Sequence, residues 1–260
     1  MRSGIRSTLA IMGKELRIFF ASPIAYVVTA VFILITGYLF YNIVLFASTQ
    51  STQIMRAQGA LPQINLNDLV FRPTFHNMSV ILMLTLPLIT MRLIAEEKKI
   101  KTIELLMTSP VPLLAIVLGK YLAVMMVFTF MLALTGYMPL LMWVYGSIQW
   151  MPILTGYLGI WLLGGVFIAV GLTASSLTEN QIIAGFLGFG AVLLLWLIGW
   201  LAQSASDSPL GPIVSYLSIG EHVENFIKGM IDTQDLVYLL SIIILGLFVT
   251  HRILESQRWK

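Results

Sequence analysis

The sequence predicts an all-α polytopic membrane protein with six transmembrane helices and short helices at the two membrane faces. Three observations predict it. Of 260 residues, 58% are hydrophobic and only 10% charged, where a soluble domain averages about 25% charged. The charges gather between long apolar runs, and residues 121–178 form 58 positions without one Asp, Glu, Lys or Arg. Once the runs are threaded, Lys and Arg divide twelve to three between the two sides. There are no cysteines, which excludes disulfides and thiolate metal sites.

Along 5–20, Ile5, Leu9, Met12, Leu16, Phe19 and Phe20 recur at helical spacing, while Arg6, Lys14 and Arg17 fall off that stripe. This pattern predicts a basic amphipathic helix lying in the membrane interface. "ASP" at 21–23 then breaks it and turns the chain into the bilayer. The first 23 residues lack the compact apolar core and small-residue site of a cleavable signal, so none is expected. A crossing needs roughly 20 apolar residues. The crossings are expected at about 24–46, 73–94, 119–145, 153–177, 181–201 and 236–253. Pro87 lies inside the second and removes a backbone hydrogen bond there. The run 121–178 must cross twice, turning at "YGSIQWMP" (145–152). The sixth apolar stretch is short, and Arg252 extends it by snorkelling, as Lys120 does at the start of the third. Gly165 with Ala169, and Ala184 with Gly188, permit close helix contact. In 213–230, Ile219, Val223, Phe226, Ile227 and Met230 face away from Glu221, Glu224 and Lys228. An outer interfacial or re-entrant helix is expected there, with an ordinary soluble loop helix as the alternative.

Six crossings place both termini on one side. The Lys and Arg excess makes that side cytoplasmic. Tyr38, Tyr41, Trp143, Tyr145, Trp150, Trp196 and Trp200 fall near the outer ends, where amphipathic rings prefer the interface.

The stretch "RLIAEEKKIKTIE" (92–104) then lies in the cytoplasm and carries seven of the 27 charges. Read as one helix over 95–108, it pairs Glu97 with Lys101 at i, i+4, an orientation worth about 0.2–0.5 kcal/mol. Ile100, Ile103 and Met107 form an apolar stripe, and Ser109-Pro110 ends the helix. A loop that only sets topology needs lysines; it does not need Glu96, Glu97 and Glu104. A short mixed-charge helix with one apolar face suits a groove on a partner protein.

Other chemistry is weakly represented. No Gly-x-x-x-x-Gly-Lys-Ser/Thr motif occurs: Leu114 stands where the first glycine would be and Tyr121 where the hydroxyl would be. The chain is therefore not expected to be an enzyme. "EEKKIK" resembles the Glu-Glu-x-x-x-Arg of membrane proteases that cleave after prenylated cysteines, but its sixth residue is Lys101, and His76, His222 and His251 are scattered. The uncharged runs hold no mid-membrane Asp, Glu or Arg for a proton relay. A pathway lined by Thr36 and Asn42, or by Thr129 and Thr135, stays open.

Four stretches resemble type-2 ABC exporter permeases, in particular the gliding-motility-type and nitrous-oxide-reductase-maturation-type branch. They are "KELRIFFASPIAYVV" (14–28), "RLIAEEKKIKTIELLMTSPV" (92–111), "SSLTENQIIA" (175–184) and "SIGEHVENFIKGMIDTQDLVYL" (218–239). The last holds His222, Phe226, Gly229, Asp232 and Tyr238 in that family's pattern. The resemblance implies a single permease domain over 1–260 in a bacterial inner membrane. It would pair with a second permease copy or paralogue and two cytosolic ABC ATPase subunits, which would bind the ATP and Mg; this chain itself would carry no cofactor or metal. A periplasmic-domain auxiliary protein is a further expected partner beside the bilayer, and nucleic acid is not expected.

It also implies that 5–20, with Ile5, Leu9, Lys14, Leu16 and Arg17, is the connecting helix. The helix at 95–108 would be the coupling helix seated in the ATPase. There Glu96, Glu97, Lys98, Lys101, Thr102 and Glu104 would lie at the contact, with Ile100, Ile103 and Met107 as the buried face. Thr178, Glu179, Asn180 and Gln181 would form a second, smaller contact. A membrane scaffold that transports nothing is the competing reading.

Overall fold

The computed structural model describes residues 2–58, 65–108, 111–146, 148–204 and 216–257. All regular structure among them is helical, and six segments are long and apolar enough to cross a membrane. Helix α1 spans Arg2–Ala21 and α2 Pro23–Gln58. A π-helical turn, Asn67–Phe71, leads into α3 (Arg72–Thr90). Two short helices follow, α4 (Ala95–Lys99) and α5 (Thr102–Thr108). Then come α6 (Leu113–Leu134), α7 (Tyr137–Tyr145), α8 (Trp150–Leu177) and α9 (Gln181–Ser204). The chain closes with α10 (Ile219–Ile227) and α11 (Thr233–Gln257).

The core is built around α8, which packs against α3, α6, α9, α10 and α11. Glycines on α8 let these neighbours approach. Phe128 of α6 sits over Gly164, Phe75 of α3 over Gly156, and Phe226 of α10 over Gly159. The small-residue pairs also mark close approaches: Ala169 meets Gly246 of α11, and Gly188 of α9 meets Gly171 and Pro87. In apolar surroundings such contacts rest on van der Waals packing, because burying one apolar surface against another changes little there. α3 and α8 are mostly buried, whereas few residues of α2, α9 and α11 are fully buried.

The third crossing differs from the continuous helix expected over 119–145. It stops at Thr135–Gly136 and resumes as α7. The Tyr157 hydroxyl of α8 donates to the Thr135 carbonyl at 3.1 Å, satisfying a backbone group that the break sets free. Of the candidates for a pathway lining, Thr135 is thereby buried in the fold, whereas Thr129 stays exposed. Trp161 Nε1 donates to Thr129 Oγ1 at 2.9 Å.

Helix α1 departs from the expected stripe. It packs along α6, with Ile11 and the Thr8 carbonyl close over Gly119. Glu15 and Phe19 on the same face are buried, Leu16 is half-buried, and Ile5, Leu9, Arg17 and Phe20 are exposed. Neighbouring α6 therefore takes one face and leaves another apolar strip outside.

α10 buries Ile219, Val223, Phe226 and Ile227 against α8, α9 and α11, while Met230 is exposed beyond its end. The outer stripe is thus a packing face, and residues 213–215 of the expected helix lie outside the described residues.

Candidate functional site

The bundle has a proximal end, which holds α1, α4 and α5, and a distal end, which holds α10. At the proximal end three helices meet around one buried ammonium. Lys120 of α6 is 1% exposed. Its Nζ lies 2.8 Å from Glu15 Oε1 of α1 and 2.9 Å from Glu97 Oε2 of α4, and donates to the Leu93 carbonyl at 2.7 Å. Two of its donors are hydrogen-bonded, to Glu15 and the Leu93 carbonyl, while Glu97 Oε2 faces the ammonium as an ion-pair partner without a hydrogen bond of its own. Glu97 Oε1 also accepts from Lys14 Nζ at 3.0 Å, and Glu15 lies 3.6 Å from the same ammonium. The two cations and two anions sum to zero, which is what makes their burial tolerable. Burial works against the Lys14 charge, but the hydrogen bond and attraction of Glu97, with Glu15 behind them, prevail and hold its pKa above the ordinary lysine value.

This corrects two expectations. Lys120 does not snorkel; it turns inward because two carboxylates wait there. Glu97 does not pair with Lys101, nor does it face outward, because its carboxylate is already held by Lys14 and Lys120.

The expected single helix over 95–108 is two helices. Lys101 adopts φ +57° and donates its N–H to the Lys98 carbonyl at 3.0 Å. This is a left-handed closing turn, usually given to glycine and costing a residue with a Cβ about 1–2 kcal/mol. The break lets α5 leave the axis of α4.

α4 has no cap of its own: its N-cap is Ile94. Ser175, from the last turns of α8, supplies it. Ser175 Oγ accepts from the N–H groups of both Ile94 and Ala95 at 3.1 Å, and donates to the Met91 carbonyl at 2.9 Å. Lys98 donates to the Ser176 carbonyl, so its ammonium also points inward. α4 is therefore fixed at both ends to α8, and through Glu97 to α1 and α6. Replacing Ser175 by alanine orphans two buried N–H groups, and an unmet buried donor costs about 1–3 kcal/mol. Ser175→Ala is expected to lower the thermal unfolding midpoint of the purified protein and to speed amide exchange at 94–99 more than elsewhere. Unchanged exchange there would refute the capping role.

What remains outward at this end is a smaller set than the sequence suggests. Glu96, Lys99, Lys101 and Glu104 are exposed, as are Ile100 (61%) and Leu105 (71%). Ile103 turns back onto the core and Thr102 is half-buried, its hydroxyl donating to the Glu97 carbonyl at 3.3 Å. The Met107 side chain lies outside the described part. Lys99 and Leu105 were not singled out by the sequence, because the break at Lys101 rotates α5 relative to α4. In the neighbouring turn Asn180 caps α9, accepting from Ile182 N at 2.9 Å, and Thr178 Oγ1 accepts from Asn180 N at 3.1 Å. Thr178 and Asn180 thus shape the turn, Glu179 is exposed, and Gln181 begins α9.

At the distal end the residues of the outer motif come together, but as scaffolding. His222 Nδ1 lies 2.6 Å from Asp235 Oδ1, and its Nε2 lies 3.0 Å from the Tyr216 carbonyl. Asn225 donates to the other Asp235 oxygen at 2.9 Å, and Tyr238 stacks on the imidazole at 4.0 Å. Both ring nitrogens have fixed partners, which hold the imidazole in place. Phe226 fills the space over Gly159. Gly229 has φ +89° against Pro152, a conformation that favours glycine. Asp232 Oδ1 accepts from Gln234 N at 3.1 Å at the start of α11. Asp235, the acid that holds His222, carried no signal beyond lying one helical turn before Tyr238. His76 stands apart from this cluster, its ring 5.7 Å from Trp196. Among the described residues no group of His, Asp and Glu is arranged to hold a metal.

Compared with known proteins, residues 9–251 match the family model described as ABC-2 family transporter protein. No curated protein matches the chain at a significant level.

Proposed function

From the premise that the chain belongs to the ABC-2 family of transporter proteins, we propose that it is the permease of an ATP-driven exporter and receives mechanical work at its proximal end. Membership makes it the membrane component of an ABC transporter, working with an ABC ATPase subunit in a bilayer. The finer reading sets the proximal end in the cytoplasm of a bacterial inner membrane, following the twelve-to-three Lys and Arg bias. It has the ATPase bind the outward surface of α4 and α5, with two ATPases serving a pair of permeases. Export, the gliding-motility-type or maturation-type branch, and an auxiliary periplasmic-domain protein belong to this proposal as well.

One observation carries the reading. α4 is tied by hydrogen bonds and ion pairs to α1, α6 and α8, yet α4 and α5 together leave Ile100 and Leu105 exposed beside Glu96, Lys99, Lys101 and Glu104. A segment fixed to three helices moves them when it is pushed, so a partner gripping it shifts the bundle as a rigid body. A loop that only joins two crossings has no need of such ties. The internal residues, Glu97, Lys98, Thr102 and Ile103, transmit the push. Glu96, Ile100, Lys101, Glu104 and Leu105 make the contact, with Glu179 at its margin.

The test is a paired substitution, Ile100→Asp with Leu105→Asp, in the permease co-expressed with its ATPase. Burying two such side chains at an interface contributes about 1.5–3 kcal/mol each when complete, so ATPase co-purification should fall at least roughly tenfold. The unfolding midpoint of the permease alone should stay within error, since both residues are exposed. Retained co-purification would refute the docking surface, and a scaffold without transport would show no substrate-stimulated ATP turnover.

A further inference from the structure

At the distal end, α3, α9 and α10 enclose a cleft of about 420 Å³. It lies against the first turns of α3 and the later turns of α9, toward the distal ends of those two crossings. Six side chains give it a definite chemistry: Arg72, His76, Trp196, Glu221, Glu224 and Lys228.

Charge comes first. Two cations and two carboxylates line the cleft, so it has no net sign. Arg72 is paired with Glu224 through one Nη2, leaving most of the five guanidinium donors to spare. Lys228 Nζ stands 3.8 Å from the same carboxylate, beyond hydrogen-bond distance, and its donors are not spent on it. Glu221 is exposed and appears in no ion pair among the described residues. A plain anion would meet Arg72 and Lys228 but also the two glutamates. A plain cation would meet the reverse. A ligand carrying both signs a few ångströms apart satisfies both sets.

The second element is aromatic. Trp196 and His76 lie with ring centres 5.7 Å apart and form one wall. An indole face attracts an ammonium group. Trp is also the side chain that settles at headgroup depth. The cleft is therefore polar, bipolar and aromatic at the level where lipid headgroups sit, above the exposed apolar ridge Val80, Leu84 and Leu88 of α3.

We propose that this cleft binds the zwitterionic headgroup of an aminophospholipid from the leaflet at the distal end. Arg72 and Lys228 hold the phosphate, Glu221 and the Trp196 face hold the ammonium, and the acyl chains run down α3 past Val80, Leu84 and Leu88. The shared chemistry is a phosphoethanolamine group, and the ridge below assigns its source to a lipid. Nothing in this assignment depends on ATPase docking or on what is transported.

The test is native mass spectrometry of the purified chain after exchange with equal amounts of phosphatidylethanolamine and phosphatidylglycerol. Wild type is expected to retain the ethanolamine lipid by roughly fivefold over the glycerol lipid, the weight of about 1 kcal/mol from one exposed charge contact. Glu221→Gln should bring the ratio to about one by removing the ammonium partner. Arg72→Gln combined with Lys228→Gln should lose both lipids. A ratio of one in the wild type, or an unaltered ratio in Glu221→Gln, would overturn the site. Displacement of the lipid by millimolar free phosphoethanolamine would overturn the lipid assignment and leave a soluble zwitterion as the ligand. These outcomes are separable from ATPase docking, because every substituted residue lies at the other end of the bundle.

Discussion

Lys120→Met should destabilise the protein more than any other single change at the proximal end. It removes the buried cation that Glu15 of α1 and Glu97 of α4 both approach within 3 Å. Both carboxylates are nearly enclosed, at 5% and 9% exposure. Lys14 still reaches Glu97, but it is half-exposed and 3.6 Å from Glu15, a weak substitute. Removing one partner of a buried pair costs about 3–5 kcal/mol, because the remaining charge keeps its desolvation penalty. The measurement is the unfolding midpoint and the yield of properly sized protein in detergent. The triple change Lys120→Met, Glu15→Gln, Glu97→Gln should recover much of the loss, since neutral groups of similar volume carry no such penalty. Lys120→Arg should fall between, because a planar fork cannot reach three acceptors gathered around one point. A Lys120→Met midpoint equal to wild type would mean that the cluster contributes nothing. Failure of the triple variant to recover would mean that the loss is one of packing rather than charge.

Gly164→Ala is expected to have the next largest effect, through packing alone. A Cβ built there lies 2.1 Å from Phe128 Cε1 and 2.3 Å from Cζ. Phe128 is fully buried, so the ring cannot swing aside without moving α6 from α8. Forced overpacking costs about 1–3 kcal/mol. Phe128→Leu in the same chain should return most of it, by removing the ring atoms that clash. Gly190→Ala is the control, because nothing lies within 4 Å of its added carbon. There the helical preference for alanine should raise stability by about 0.5–1 kcal/mol. Equal effects at 164 and 190 would show that α6 and α8 are not packed as described.

The ABC-2 match rests on the whole bundle, and the bundle was legible because bilayer insertion reads composition directly. A run such as 121–178, without a charge over 58 residues, has no other stable placement. The same rule predicted six crossings, and six helices are long and apolar enough to span a membrane. The bend at Thr135 was not legible: it depends on Tyr157, 22 residues away, arriving to take a free carbonyl. The outer motif was recognised as a pattern, but its purpose was not, because Asp235 and Tyr238 of α11 meet His222 of α10 only after folding.

At the candidate site, sequence and structure divide along a clear line. Periodicity and charge by themselves determined the crossings, the amphipathic first helix and the concentration of charge between the second and third crossings, because each follows from a local run of side chains and its cost in hydrocarbon. Which of those charges faces outward was decided only by tertiary structure. Glu97 and Lys98 look equivalent to Glu96 and Lys99 when read along the chain, and they differ because Lys14, Lys120 and the Ser176 carbonyl arrive from α1, α6 and α8. A buried charge goes where its partner is, and the partner's position is a property of the folded bundle.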